Sequence, residues 1–212
     1  MKIPKVYLYV FNTMSDWEYG YLIAELNSGR YFKNGLDALN VITVGTNKEI
    51  VKTMGGLKII PDMTYGEFEL ERKDLLILPG GTNWKDQVHK PILENIGIAL
   101  DKGVIIAAIC GAVDALANSG YLDNKKHTSN SIEYTKMNCP NYKGEEFFEI
   151  KPAVSDENLI TASGIAPLEF AKEVLKNMNI FEANVLEAWY KLNKTQRPEY
   201  FYQLIESMNS SK

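Results

Sequence analysis

The sequence predicts an α/β protein built on a mainly parallel sheet with helices on both faces. Three observations point there. Strand-like apolar runs alternate with helical patterns from about residue 5 to residue 178, the signature of consecutive βαβ units. The run at residues 104–109 has no polar face, as a central parallel strand buried on both sides requires. At 212 residues the chain has room for one such domain with a full core and a small appendage.

Residues 5–11 read as the first strand, and residues 16–27 as an amphipathic helix with Ser15 and Glu18 spaced as a capping box. Residues 38–46 form the second strand. Residues 49–53 and 57–60, separated by Gly55-Gly56, suggest a short hairpin between units. Residues 74–78 make another buried strand, stopped by Pro79-Gly80-Gly81. Residues 91–100 carry apolar positions at helical spacing with Pro in the first turn. After the strand at 104–109, Ala112, Val113, Leu116 and Ala117 repeat as a helix. Residues 125–130 lead into a short helix, and residues 146–161 hold two strand-like runs around the turn at 155–158. Leu168, Ala171, Val174, Leu175 and Met178 define one more helical face. Two strandless helices follow, around Phe181–Trp189 and Phe201–Met208. The predicted division is residues 1–178 as the α/β domain and 179–212 as a helical extension, which covers a sheet face or a subunit contact.

Composition narrows the function classes. The formal net charge is −4, with no face dense in Lys or Arg, which disfavours a nucleic-acid partner. No apolar run is long enough to cross a bilayer, and the N-terminus enters a strand without a signal-type cleavage site, so a cytoplasmic protein with no membrane partner is expected. Cys110 and Cys139 are too few for a disulfide framework, and two histidines give no zinc spacing. No metal or cofactor is expected, and the partner anticipated is a small-molecule substrate.

The candidate chemistry centres on Cys110, which an apolar strand delivers to a tight turn before a helix, as nucleophile elbows do. A helix N-terminus favours thiolate and lowers a cysteine pKa. A buried cysteine acting as a small hydrophobe is the alternative. Gly80, Gly81 and the amide of Gly111 form a candidate oxyanion hole, with a plain turn as the alternative. Asp16 and Glu18 follow the first strand and supply a candidate proton partner. Glu18 suits the capping box, so Asp16 is preferred and Glu18 held in reserve.

The segments L-L-I-L-P-G-G, A-A-I-C-G-A, G-Y-L-D-N-K-K-H-T-S-N and N-L-I-T-A-S-G, in that order and spacing, resemble the ThiJ/PfpI family of the class I glutamine amidotransferase-like superfamily. The resemblance spans about residues 2–178. It implies a flavodoxin-like three-layer sandwich, a reactive cysteine at Cys110, an acidic partner at Asp16 or Glu18, and a homodimer. Activities known in the family include peptidase, glyoxalase or deglycase, isonitrile hydratase, and redox-linked chaperone or sensor roles. Peptidase-type members carry histidine directly after the nucleophile, where this chain has Gly111, and others carry it where this chain has Asn130. His127 falls three positions earlier and is expected at the surface, as is His89. Peptidase and amidotransferase chemistry is therefore disfavoured. The leading expectation is a cysteine-dependent hydrolase or lyase-like enzyme acting on a carbonyl, amide or nitrile-like electrophile, and the alternative is a cysteine sensor without turnover. Trp84 lines the pocket or packs under the Gly80-Gly81 loop, and Cys139 sits in a loop or lid, with a resolving thiol as its alternative role.

Overall fold

The computed structural model describes residues 3–210. In chain order its elements are β1 (Val6–Tyr9), α1 (Asp16–Ser28), β2 (Val41–Gly45), β3 (Val51–Lys52), β4 (Lys58–Ile59), β5 (Met63–Thr64), β6 (Leu75–Leu78), α2 (Lys90–Glu94), α3 (Ile96–Asp101), β7 (Ile105–Ile109), α4 (Gly111–Asn118), α5 (Ile132–Asn138), β8 (Ala153–Asp156), β9 (Leu159–Ala162), α6 (Pro167–Met178), α7 (Ala183–Thr195) and α8 (Pro198–Ser210). Seven strands form one sheet in the order β5-β2-β1-β6-β7-β9-β8, parallel except for the antiparallel edge strand β8. The separate hairpin β3-β4 turns at Gly55-Gly56, as its sequence suggests.

Strands β1, β6 and β7 are buried along their whole length. Such strands have no solvent face to carry a polar alternation, so they read as continuous apolar runs. Helix α6 packs on β7 as well as on β8 and β9, and α3 and α4 also pack on β7. The topology has one switch point. From β1 the chain adds β2 on one side and then returns to place β6 on the other. A crevice opens at such a point, beyond the carboxyl ends of the strands, and it is bordered here by the loops after β1, β6, β7 and β9.

Three elements differ from the sequence reading. The helix expected over 91–100 is two helices, α2 and α3, broken at Asn95, whose side chain donates to the Pro91 carbonyl at 2.8 Å. This local bond competes with the helical ladder. Strand β5 is only two residues long and gives no readable periodicity. The Ser15–Glu18 capping box does not form: Ser15 is the N-cap of α1, but its side chain caps no backbone amide there, and the Glu18 carboxylate is engaged elsewhere.

The C-terminal extension lies on helices rather than on the sheet. Helix α7 packs on α6 and α8 on α7. Trp189 of α7 is fully buried, and its indole donates to Glu25 of α1 at 2.9 Å. Glu25 is itself buried and also pairs with Arg30. The extension thereby shares a core with α1 and α6.

Candidate active site

Cys110 sits between β7 and α4 with φ 58° and ψ −126°. This positive φ is unfavourable for a residue with a Cβ and costs about 1–3 kcal/mol. Bonds on both sides hold it there. The Cys110 amide donates to Ala162 of β9 at 3.0 Å, and its carbonyl accepts from Val113 at 2.9 Å. The bend turns the side chain out of the sheet while leaving it half-buried.

Glu18 comes to the sulfur from α1. Its side chain is fully buried, and Oε2 accepts the Gly80 N–H at 2.5 Å. The Gly80 carbonyl in turn accepts the Ser15 amide at 2.9 Å, so the start of α1 and the loop after β6 are bonded in both directions. Oε1 makes no hydrogen bond of full geometry and lies on the thiol side. A Cβ placed on Gly164 would stand 2.7 Å from Cys110 Sγ and 3.2 Å from Glu18 Oε1. A Cβ on Gly80 would stand 2.6 Å from Cys110 Cβ and 2.7 Å from Glu18 Oε2. Two glycines therefore leave the space in which thiol and carboxyl meet.

The preference for Asp16 over Glu18 is reversed in the structure. Asp16 Oδ2 accepts the Gly55 amide at 2.5 Å, tying α1 to the β3-β4 hairpin. Two positions further along, helical rotation brings the longer Glu18 side chain to the strand ends.

Asn130 closes the third side. Its Oδ1 accepts the Gly164 N–H at 2.8 Å, and its Nδ2 points to Cys110 Sγ at 3.4 Å. The Gly164 N–H can only donate, so the carbonyl end of the Asn130 amide faces it and the NH2 end faces sulfur. The Gly111 N–H, at the start of α4, also favours the charged form of this sulfur. Gly81 lies against Gly111, where a Cβ would meet the Gly81 carbonyl at 2.9 Å and Trp84 Cδ1 at 3.3 Å. A histidine directly after the cysteine would collide with that backbone. Trp84 packs beneath, its indole donating to the Pro79 carbonyl at 2.9 Å and its ring against Phe11 and His89. It also lines a cleft of about 830 Å³ with Gly81, Gly111, Asp114, Tyr134 and Cys139. That cleft takes in the flank of the elbow but not Cys110, Glu18, Asn130 or Gly164.

Burial is the main cause that lifts the Glu18 carboxyl to about 7, against hydrogen bonds from Gly80, Cys110 and Ser15 that favour its charged form. Burial also lifts the Cys110 thiol to about 11. Asn130 and Gly111 lower it, and the adjacent Glu18 carboxylate raises it further. The expected depression of the thiol by the helix N-terminus is thus outweighed by desolvation and a neighbouring negative charge. Thiol and carboxyl in contact titrate as a pair. Between about pH 7 and 11 they hold one negative charge, which Asn130 and Gly111 draw towards sulfur and Gly80 draws towards carboxylate.

Both histidines are buried, contrary to the surface positions expected. His89 Nδ1 bonds the Tyr9 hydroxyl at 2.8 Å, and His127 bonds the Tyr142 hydroxyl through Nε2 at 2.7 Å and the Lys125 carbonyl through Nδ1 at 2.6 Å. Neither bonds the sulfur. Burial pushes the pKa of each down. Their ring nitrogens find partners inside the fold, which makes their burial tolerable. Cys139 is buried at the end of α5, where its thiol donates to the Asp114 carbonyl at 3.2 Å. Sequence reading assigned no role to Trp17, whose indole donates to the Gly164 carbonyl at 3.1 Å. The glycine of the S-G pair ending the last motif was the available signal for that corner. Among the described residues no cluster of three metal-binding side chains occurs, and no helix is long and apolar enough to cross a membrane.

The DJ-1/PfpI family pattern matches residues 4–177, which include every residue of this corner. The chain belongs to the DJ-1/PfpI family. It is 62% identical to the protein named uncharacterized protease YoaZ of Bacillus subtilis, over 99% of this chain and all of that one. It is 34% identical to the same organism's protein named uncharacterized protease YdeA, over 91% of this chain and 92% of that one. The crystal structure of a thiJ/pfpI family protein from Bacillus anthracis superposes with a TM-score of 0.96 at 68% identity, covering 99% of both chains. The DJ-1/PfpI match ends at residue 177, whereas the Bacillus anthracis structure covers the helical extension as well.

Proposed function

We propose that the chain is a cysteine-dependent enzyme that adds Cys110 to a small neutral electrophile, with a carbonyl compound as the leading class. One observation carries this reading: the first turn of α1 and the loops carrying Gly80, Asn130 and Gly164 converge on a single strained cysteine and supply it with a carboxyl partner and an amide donor. Strain of this kind persists only where the surroundings enforce it.

In the proposed step the Cys110 thiol proton passes to the Glu18 carboxylate as sulfur bonds to the carbonyl carbon. The carbonyl π bond breaks, and its electrons become an alkoxide facing the amides of Gly81 and Gly111. The Glu18 proton then transfers to that oxygen, leaving a neutral thiohemiacetal and a regenerated carboxylate. Nothing is oxidised or reduced. Glu18 suits both transfers because its pKa lies at about 7, near the operating pH. The word protease in relatives' names is not favoured for this chain, because Gly111 leaves no room for a histidine and neither existing histidine bonds the sulfur.

The test is turnover on a panel of small aldehydes, activated esters and nitriles by wild type and Cys110→Ser. Loss of at least a hundredfold in the variant is expected. Undiminished turnover in Cys110→Ser would refute the reading. The absence of an imidazole at the sulfur favours a second reading, a sensor that stops at oxidised Cys110. Stoichiometric mass gain on mild peroxide with no turnover across the panel would select it.

A further inference from the structure

The Gly164 peptide corner is held from two directions. Its N–H donates to Asn130 Oδ1 at 2.8 Å, and its carbonyl accepts the Trp17 indole at 3.1 Å. Between the two bonds lies a Cα against the sulfur, where an added Cβ would sit 2.7 Å from Sγ. The Gly164 N–H also decides which end of the Asn130 amide faces sulfur. If that amide turned over, a carbonyl oxygen would replace an N–H donor at 3.4 Å from Sγ and repel a developing thiolate.

Trp17 is otherwise unexplained. It is 52% exposed, so core packing is a weak reason for a large aromatic there. It also directly precedes Glu18. One turn of α1 therefore supplies two consecutive residues to the surroundings of one sulfur, Glu18 as its carboxyl partner and Trp17 as a bond to the corner that orients its amide donor. We infer that Trp17 is a positioning residue, which holds the Gly164 corner so that Asn130 presents its N–H to the Cys110 thiolate.

The inference rests on the reading of Cys110 as the reacting group, and it is read out without turnover. The rate of Cys110 alkylation by iodoacetamide is followed against pH, with the labelled peptide resolved by mass. Trp17→Phe keeps the ring and removes the indole N–H. At pH 8 its alkylation is expected to slow about fivefold, the factor a single hydrogen bond is worth, with the profile displaced upward by about 0.7 pH. Asn130→Leu removes the donor itself, and on that background Trp17→Phe is expected to change nothing further. A Trp17→Phe profile that overlays wild type would overturn the inference, and so would a slowing that persists undiminished with Asn130→Leu. Should Trp17→Phe fail to fold, Trp17→Leu, which also lacks a donor, carries the same expectation. Turnover separates this inference from the parent reading. A displaced profile with Cys110→Ser still fully active sinks the proposed function alone, whereas an overlaid profile with Cys110→Ser inactive sinks the positioning role alone.

Discussion

Glu18 is a carboxyl taken out of water and set beside a thiol, and this burial acts on stability and reactivity together. Its ordinary pKa of 4.5 becomes about 7 in the fold. Between those two pH values the unfolded chain loses the proton and the folded chain keeps it, so stability falls as pH rises through that window. The gap corresponds to about 3 kcal/mol. Glu18→Gln removes this slope. Relative to wild type, its thermal stability is therefore expected to be higher at pH 8 than at pH 5, and a difference independent of pH would contradict the assignment. The same variant removes the charge that helps hold the thiol near 11. Its alkylation at pH 8 should then quicken while its turnover falls, because the proton carrier is gone. Wild-type turnover should rise through about pH 7 and decline towards 11.

Among the elements, α1 does most to assemble the corner. Its first turn sends Asp16 to the hairpin, Trp17 to Gly164 and Glu18 to Gly80 and the sulfur. Its last turns send Glu25 to Trp189 of α7. That distant bond anchors the end of the helix opposite the thiol. Trp189→Phe keeps an aromatic ring but shrinks it, and leaves the buried Glu25 short of one donor. A destabilisation of about 1–3 kcal/mol is expected by denaturant titration, with the Cys110 alkylation profile unchanged. A changed profile at equal stability would show that α7 reaches the reacting atoms through α1.

For the molecule as a whole, the question is whether residues 179–212 form a separable unit. Phe181, Val185, Leu186 and Trp189 are buried in the same core as Leu22 and Leu26 of α1 and Val174 of α6. Burial of four such side chains is worth roughly 1.5–3 kcal/mol each, an amount comparable with the net stability of a typical domain. A chain ended after residue 178 is expected to be insoluble or to melt at least about 15 °C below the full chain. A soluble fragment with the full chain's melting temperature would make the extension an independent appendage.

The α/β class, the parallel strands at residues 74–78 and 104–109, the elbow at Cys110 and the Gly80-Gly81 loop were legible in the sequence alone. Buried parallel strands leave unbroken apolar runs, and a sharp strand-to-helix bend leaves glycines beside a small polar residue, so both signals are local. Tertiary structure alone decided which carboxyl meets the thiol, that both histidines are buried, and that the thiol is raised rather than depressed. Each of these depends on desolvation and on contacts between loops far apart in the chain, such as Glu18 with Gly80 and Asn130 with Gly164. Neither spacing nor composition encodes such contacts. The sequence determined that a sulfur would stand at the bend, and the packing of the strand ends, the start of α1 and the Asn130 loop decided its partners and its charge.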